Sequence, residues 1–287
     1  MKNFYYPKLY LLIFFIFTSC EIIDYRAEIP SYIHIPAFEL ETDIANEGSS
    51  SNAICDVWVY IDGKTIGAFE LPATFPVLKK GVSTIVFFAG IKLNGIGATR
   101  GVYPFYKKYE ITTELFPDGI ITIIPSTQYS ENLQFRIIED FEHVGVNFEA
   151  TSRSDTILHT TNDSNLVFEG NRSGVAYLSA PAQLFECKSI EAFNLPKGGA
   201  FNFIEMNFKC DVSVTVGIFA NEMNYSAQHP ILVLNPTNEW KKIYINIGPR
   251  VSREINAIDF NIFFGMYLKE GQENATLYVD NIKLIHY

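Results

Sequence analysis

The sequence predicts an all-β chain of two β-sandwich domains, on three observations. Apolar and polar residues alternate at period two over many short runs. These runs are separated by Gly, Pro, Asn and Asp turn signals, among them Asp62-Gly63, Asn94-Gly95 and Pro117-Asp118-Gly119. No segment of useful length keeps a helical period.

The chain has 287 residues, enough for two domains of ordinary size, and its 48% hydrophobic content can fill two cores. It opens with Lys2 and Lys8 ahead of an apolar run, LYLLIFFIFTSC, that ends at Cys20. A basic start, an apolar middle and small residues before a break are the layout of a secretory signal peptide. The run is too short to span a bilayer, which takes about 20 apolar residues. Phe17-Thr18-Ser19-Cys20 resembles the lipobox of bacterial lipoproteins, in a Bacteroidota-type version with Ser before the cysteine and Glu21 and Asp24 after it. The resemblance implies that residues 1–19 are removed and that Cys20 is lipidated. Residues 20–33 would then be a tether at the outer membrane, with the lipid as the membrane attachment and the protein placed at the cell surface.

The net charge is -10, and loss of residues 1–19 removes two lysines and no acid, leaving -12. An acidic chain without a basic cluster excludes nucleic acid as a partner. Besides Cys20 there are Cys55, Cys187 and Cys210. In an oxidising compartment a disulfide between Cys187 and Cys210, on strand-like runs of the same half, is one reading; three buried free thiols is the other.

Residues 34–130 form the first predicted domain. In DVWVYIDGKTIGAFEL two β-rich runs flank Asp62-Gly63, a strong hairpin signal. Val57, Val59 and Ile61 fall on one face, Trp58 and Tyr60 on the other. STIVFFAGIK is apolar on both faces and reads as a central strand. VYIDGKTIGAFELP and KKGVSTIVFFAG together resemble the PEGA family of small extracytoplasmic β modules, which implies an immunoglobulin-like sandwich used as a spacer or contact surface. Leu71-Pro72 stands where that family has Thr-Pro, and Ser83 where it has His.

A polar stretch, QYSEN at 128–132, marks the boundary. Residues 137–287 then hold about eight strand runs. Ile243, Ile245 and Ile247 face one way, with Lys242, Tyr244 and Asn246 opposite. Ile258, Phe260, Ile262 and Phe264 face the core, with Asp259 and Asn261 opposite. This pattern predicts an antiparallel sandwich of jelly-roll type. EDFE at 139–142, VFEGNRSGVAYL and YVDNI at 278–282 resemble the jelly-roll carbohydrate-binding modules. That resemblance implies a shared structural Ca²⁺ on Glu142 and Asp280; two solvated carboxylates is the alternative.

A sugar site needs an aromatic platform beside planar polar groups. Trp240, Tyr244, Asn246, Asp259, Asn261 and Tyr267 are candidates, and among them Trp240, Tyr244 and Asn261 are the expected glycan-binding residues. Asn221, Glu222, Asn224 and Tyr225 in a loop are a second set. Asp155-Thr156-Ile157 resembles the Bacteroidota O-glycosylation acceptor, which marks Thr156. Catalysis has no support. The five histidines have no metal spacing, no G-x-S-x-G is present, and no enzyme cofactor is expected. The expected function is a non-catalytic envelope lipoprotein that presents a binding domain to glycan or to an envelope protein. The contrasting reading is a periplasm-facing structural subunit of an envelope complex.

Overall fold

The computed structural model describes residues 28–287. The expected signal peptide, Cys20 and the first part of the tether lie outside the described residues. The chain is all-β, with two hydrophobic cores.

The first core is enclosed by ten strands: β1 (Ser31–Ile35), β2 (Glu39–Leu40), β3 (Asp56–Ile61), β4 (Lys64–Glu70), β5 (Ala73–Val77), β6 (Gly81–Lys92), β7 (Arg100–Val102), β8 (Tyr109–Leu115), β9 (Ile120–Thr122) and β10 (Ser126–Thr127). A one-turn helix, α1 (Ile44–Glu47), follows β2. One sheet runs β4-β3-β6-β7, with β8 also on β6; the other runs β5-β1-β9. β9 joins β1 in parallel, and β10 joins β2 in parallel, so the late strands close the domain against its first ones. Val57, Val59 and Ile61 point inward and are fully buried, while Trp58 and Tyr60 point out. Asp62 and Gly63 both have positive φ, 48° and 75°, the geometry that a tight two-residue hairpin requires.

The second core lies between two antiparallel sheets, built from β11 (Gln134–Glu139), β12 (Phe148–Ala150), β13 (His159–Thr161), β14 (Ser173–Ser179), β15 (Leu184–Ser189), β16 (Asn202–Cys210), β17 (Val214–Asn221), β18 (Ser226–Leu234), β19 (Thr237–Asn246), β20 (Asp259–Tyr267) and β21 (Asn274–His286). A short helix, α2 (Gly248–Arg253), links β19 to β20. The first sheet runs β13-β14-β21-β16-β19, with β11 also on β21; the second runs β12-β15-β20-β17-β18. Ile243, Ile245, Phe260, Ile262 and Phe264 face the core, as the alternation predicts. Ile258 does not: it precedes β20 and is exposed.

Cys187 and Cys210 are not joined; both are free and buried. Cys187 is in β15 of the second sheet, paired with Phe264, and Cys210 ends β16 of the first, paired with Leu277. Facing sheets stand about 10 Å apart, beyond the Cα reach of about 7 Å that a disulfide allows. Apolar surroundings hold both thiols neutral, pushing Cys210 up to about 11.

The two sandwiches meet over the outer face of the first sheet of the second domain. Phe203, Tyr244 and Ile285 of that face belong to the core of the first domain, beside Tyr103, Phe105 and Tyr106. Among these rings sits the carboxylate of Glu205, with no exposed surface. It accepts from Tyr103 Oη at 2.7 Å and from Tyr129 Oη at 2.9 and 3.0 Å. Lys242 Nζ stands 3.3 Å from it, within ion-pair distance but without a hydrogen bond. Lys283 Nζ donates to Ser49 O at 2.6 Å and to Tyr129 Oη at 3.3 Å. Burial pushes the Tyr103 and Tyr129 hydroxyls well above their usual range, so both remain donors.

Removing the buried carboxylate strands two hydroxyls and an ammonium, so Glu205→Ala should lower the unfolding free energy by about 3 kcal/mol or more. Tyr103→Phe, which deletes one donor, should cost about 1 kcal/mol; urea titration measures both, and a Glu205→Ala loss within the range of Tyr103→Phe would contradict the role given to Glu205. Cys55, Cys187 and Cys210 should all alkylate in denaturant without reductant, and peptide mapping that recovers a linked Cys187–Cys210 pair would refute the free thiols described above.

Candidate ligand-binding groove

Of the residues expected to bind glycan, Trp240 and Tyr244 line one groove and Asn261 lies elsewhere. Tyr244 and Trp240 alternate along β19 and share a face, but Asn261 is in β20 of the other sheet. Tyr244 is taken by the domain interface: its hydroxyl accepts from Ala53 N at 3.0 Å and lies 3.2 Å from Tyr106 Oη. Asn261 is spent within its own sheet. Its amide donates to Ser189 O and Glu191 O, and its oxygen accepts from Asn221. Asn221 is held in turn by Asp259 and Ser226. Glu222, Asn224 and Tyr225 form the turn after β17, with Tyr225 Oη 3.4 Å from Glu222.

Trp240 remains available, in a groove between the domains of about 630 Å³. The indole packs on Phe168 with ring centroids 5.3 Å apart. The first domain supplies one wall through Ser51, Asn52, Lys92 and Asn94; the second supplies Asn207, Asn235 and Lys241. Two amides are oriented before any ligand arrives. Asn207 Oδ1 accepts from Ser51 Oγ at 3.1 Å, and Asn94 Oδ1 accepts from Asn246 N at 2.8 Å. With its oxygen occupied, each amide has its NH₂ left to donate. The wall itself is fixed by backbone pairing: Asn94 N donates to Tyr244 O at 2.9 Å, and Leu93 bridges Tyr244 in parallel, so the tip of the β6–β7 connection covers part of the free edge of β19. The sequence shows the aromatic residue and the asparagines but not this meeting, because the two walls lie more than a hundred residues apart in the chain.

Among the described residues, no Asp, Glu or His lines the groove. Cys55, which does, has its thiol pushed up to about 11 by burial and by the neighbouring Asp56 carboxylate. It is therefore a neutral thiol at pH 7, not a nucleophile.

Glu142 and Asp280 do approach one feature, the turn at 169–173, but they grip it with hydrogen bonds. Glu142 accepts from Asn171 N at 2.6 Å, Arg172 N at 2.8 Å and Asn171 Nδ2 at 3.0 Å. Asp280 accepts from Ser173 Oγ at 2.6 Å and Asn281 N at 2.7 Å. The turn passes so close that a Cβ on Gly170 would stand 2.5 Å from Glu142 Oε1. Among the described residues no group of three or more His, Cys, Asp or Glu side chains is placed to hold a metal ion. The donor set does not fit the Ca²⁺ expectation: amides and a hydroxyl take the carboxylate oxygens that an ion would need. Thr156 is half-buried in the loop after β12, where Asp155 accepts from Gln183 N and Leu184 N.

No family model matches the chain, and no curated protein matches it. Among solved structures it is similar to the family 11 carbohydrate-binding module of the cellulosomal cellulase Lic26A-Cel5E of Clostridium thermocellum, at 16% identity and a TM-score of 0.38, over 54% of this chain and 95% of that one. It is similar at 13% identity and a TM-score of 0.39 to a structure described as the basis for promiscuous specificity of carbohydrate-binding modules from the β-sandwich superfamily, over 89% of this chain and 97% of that one. A third, TmCBM61 in complex with β-1,4-galactotriose, has 12% identity and a TM-score of 0.31, over 49% and 87%.

Burial pushes the Asp280 carboxyl up to about 7, against hydrogen bonds that favour its ion. Its folded pKa is above its unfolded one, so the native state binds the extra proton and Asp280 costs progressively more stability as pH rises from about 4 to about 7. Asp280→Asn should therefore gain on the native protein across that window and hold a constant difference above it. Urea unfolding near pH 4 and near pH 8 measures this, and a pH-independent difference would rule out the burial of an ionising Asp280.

Proposed function

We propose that the chain is a non-catalytic lipoprotein of the outer membrane, anchored through Cys20 at the cell surface, that binds glycan in the groove at Trp240. One observation carries the glycan reading: an indole braced by Phe168 stands beside the pre-oriented amides of Asn94 and Asn207. A pyranose presents C–H faces that pack on an aromatic ring and hydroxyl edges that accept from planar donors. The lysines Lys92 and Lys241 in the lining favour a sugar that carries a carboxylate, against the acidic balance of the chain as a whole. Glycoside hydrolysis takes a pair of carboxyl groups across the scissile bond, and the described residues of the lining offer none. Retention of an intact ligand is what this chemistry supports.

The test is calorimetric titration with neutral and uronic-acid oligosaccharides, followed by chromatography of the recovered sugar. The acidic ligands should bind more tightly and return uncleaved. Trp240→Ala should weaken binding about tenfold, or ~1.4 kcal/mol. A folded Trp240→Ala protein with undiminished affinity would reject the groove; released sugar fragments would reject the non-catalytic assignment.

A further inference from the structure

The first domain carries an apolar surface at the end where the described chain begins. Ile29, Leu78, Val82, Phe116 and Ile120 are 53–72% exposed. They come from three segments that the strand pairing places side by side. Ser31 pairs with Val77 and donates Oγ to Lys79 O at 2.7 Å, which sets Ile29 beside Leu78. Asp118 N donates to Pro30 O at 2.9 Å, and Tyr32 N to Gly119 O at 2.8 Å, which brings in the Phe116–Ile120 turn. Gly81 pairs with Leu115, so Val82 and Phe116 flank the same end of β6. Charged side chains stand around these residues, exposed Glu114 and Asp118 among them. Lys79 is paired with Asp62 at 2.9 Å, and Lys80 stands near Glu28 around one shallow cavity. Large apolar side chains collected on one exposed surface mark an interaction site.

We infer that this end is a membrane-contact surface, seated on the lipid bilayer. The inference goes beyond glycan binding, but it rests on the anchor proposed at Cys20. Ile29 follows Cys20 by nine residues, a stretch that fully extended reaches about 32 Å at most. A lipid on Cys20 therefore holds the bilayer surface within that distance of Ile29, on the side where the apolar residues collect. Their side chains enter the boundary between headgroups and acyl chains, where interfacial apolar groups settle about 5–10 Å deep. The tip becomes a second, non-covalent foothold, and β6, which runs from this end to the groove wall at Lys92 and Leu93, points away from the membrane.

The test uses the full lipid-bearing chain in phosphatidylethanolamine–phosphatidylglycerol vesicles, with and without brominated acyl chains. Leu78→Trp and Phe116→Trp place a reporter on the tip; Val102→Trp places one at the far end of β6, where Val102 pairs with Gly90. The expected result is emission lost to bromine at positions 78 and 116 but not at 102, each read against the native background of Trp58 and Trp240. Co-flotation with the vesicles and no quenching at 78 or 116 overturns the contact and leaves the face to a protein partner or a second copy of the chain. Native protein that floats no better than Cys20→Ala overturns the anchor, and the membrane contact with it.

Discussion

A single buried carboxylate ties the two domains together. Glu205 belongs to the second domain, and the hydroxyls that satisfy it, on Tyr103 and Tyr129, lie before the strands of that domain begin. An ion removed from water costs several kcal/mol unless its partners stay in place. Any opening between the sandwiches would strand Glu205, the Lys242 beside it and the Lys283 above it. The shape of the groove at Trp240 follows from that constraint, since one wall is fixed to each side of the interface. The first domain is therefore more than a spacer: it contributes Ser51 and Asn94 to the groove, and it does so in a set position.

Burial also pushes the Lys283 ammonium down to about 7, so this cation is held at the edge of its stability. What keeps it in place is local: the carbonyl of Ser49, at the end of a polar strap that crosses the outer face of the sheet from 48 to 54. Ser49, Ser51 and Ala53 each bond to a different residue of the second domain, Glu169, Asn207 and Tyr244. In the sequence this strap is a run of Gly and Ser that reads as an ordinary loop. Its composition suits the task, because short hydroxyl side chains and bare backbone can lie close against a sheet and still satisfy buried polar groups.

Much of the fold was legible because alternation and turn chemistry are local. Val57, Val59 and Ile61 had to share a face, and Asp62-Gly63 had to turn. The site was less legible, for reasons that can be named. Tyr244 and Asn261 both lie on faces turned away from the core, but a sandwich has two such faces, and alternation does not say to which sheet a strand belongs. Tyr244 was lost to the interface because the sequence does not show that a second domain covers that face. Cys187 and Cys210 are strand residues of the same domain, yet they are separated by the spacing of the sheets. Glu142 and Asp280 each bond to a different part of the turn at 169–173, a use of their oxygens that the sequence does not show.

The long strand β21 has a consequence for how the molecule is made. It lies at the centre of its sheet, with β16 along one side and β11 and β14 sharing the other. Its residues, 274–286, are translated after every one of those partners. The first sheet of the second domain therefore cannot assemble progressively behind a ribosome, and Glu205, in β16, cannot reach its final place until β21 arrives. Pairings this distant in sequence are slow to form. The chain should acquire both its second core and its domain interface late, once β21 has been made.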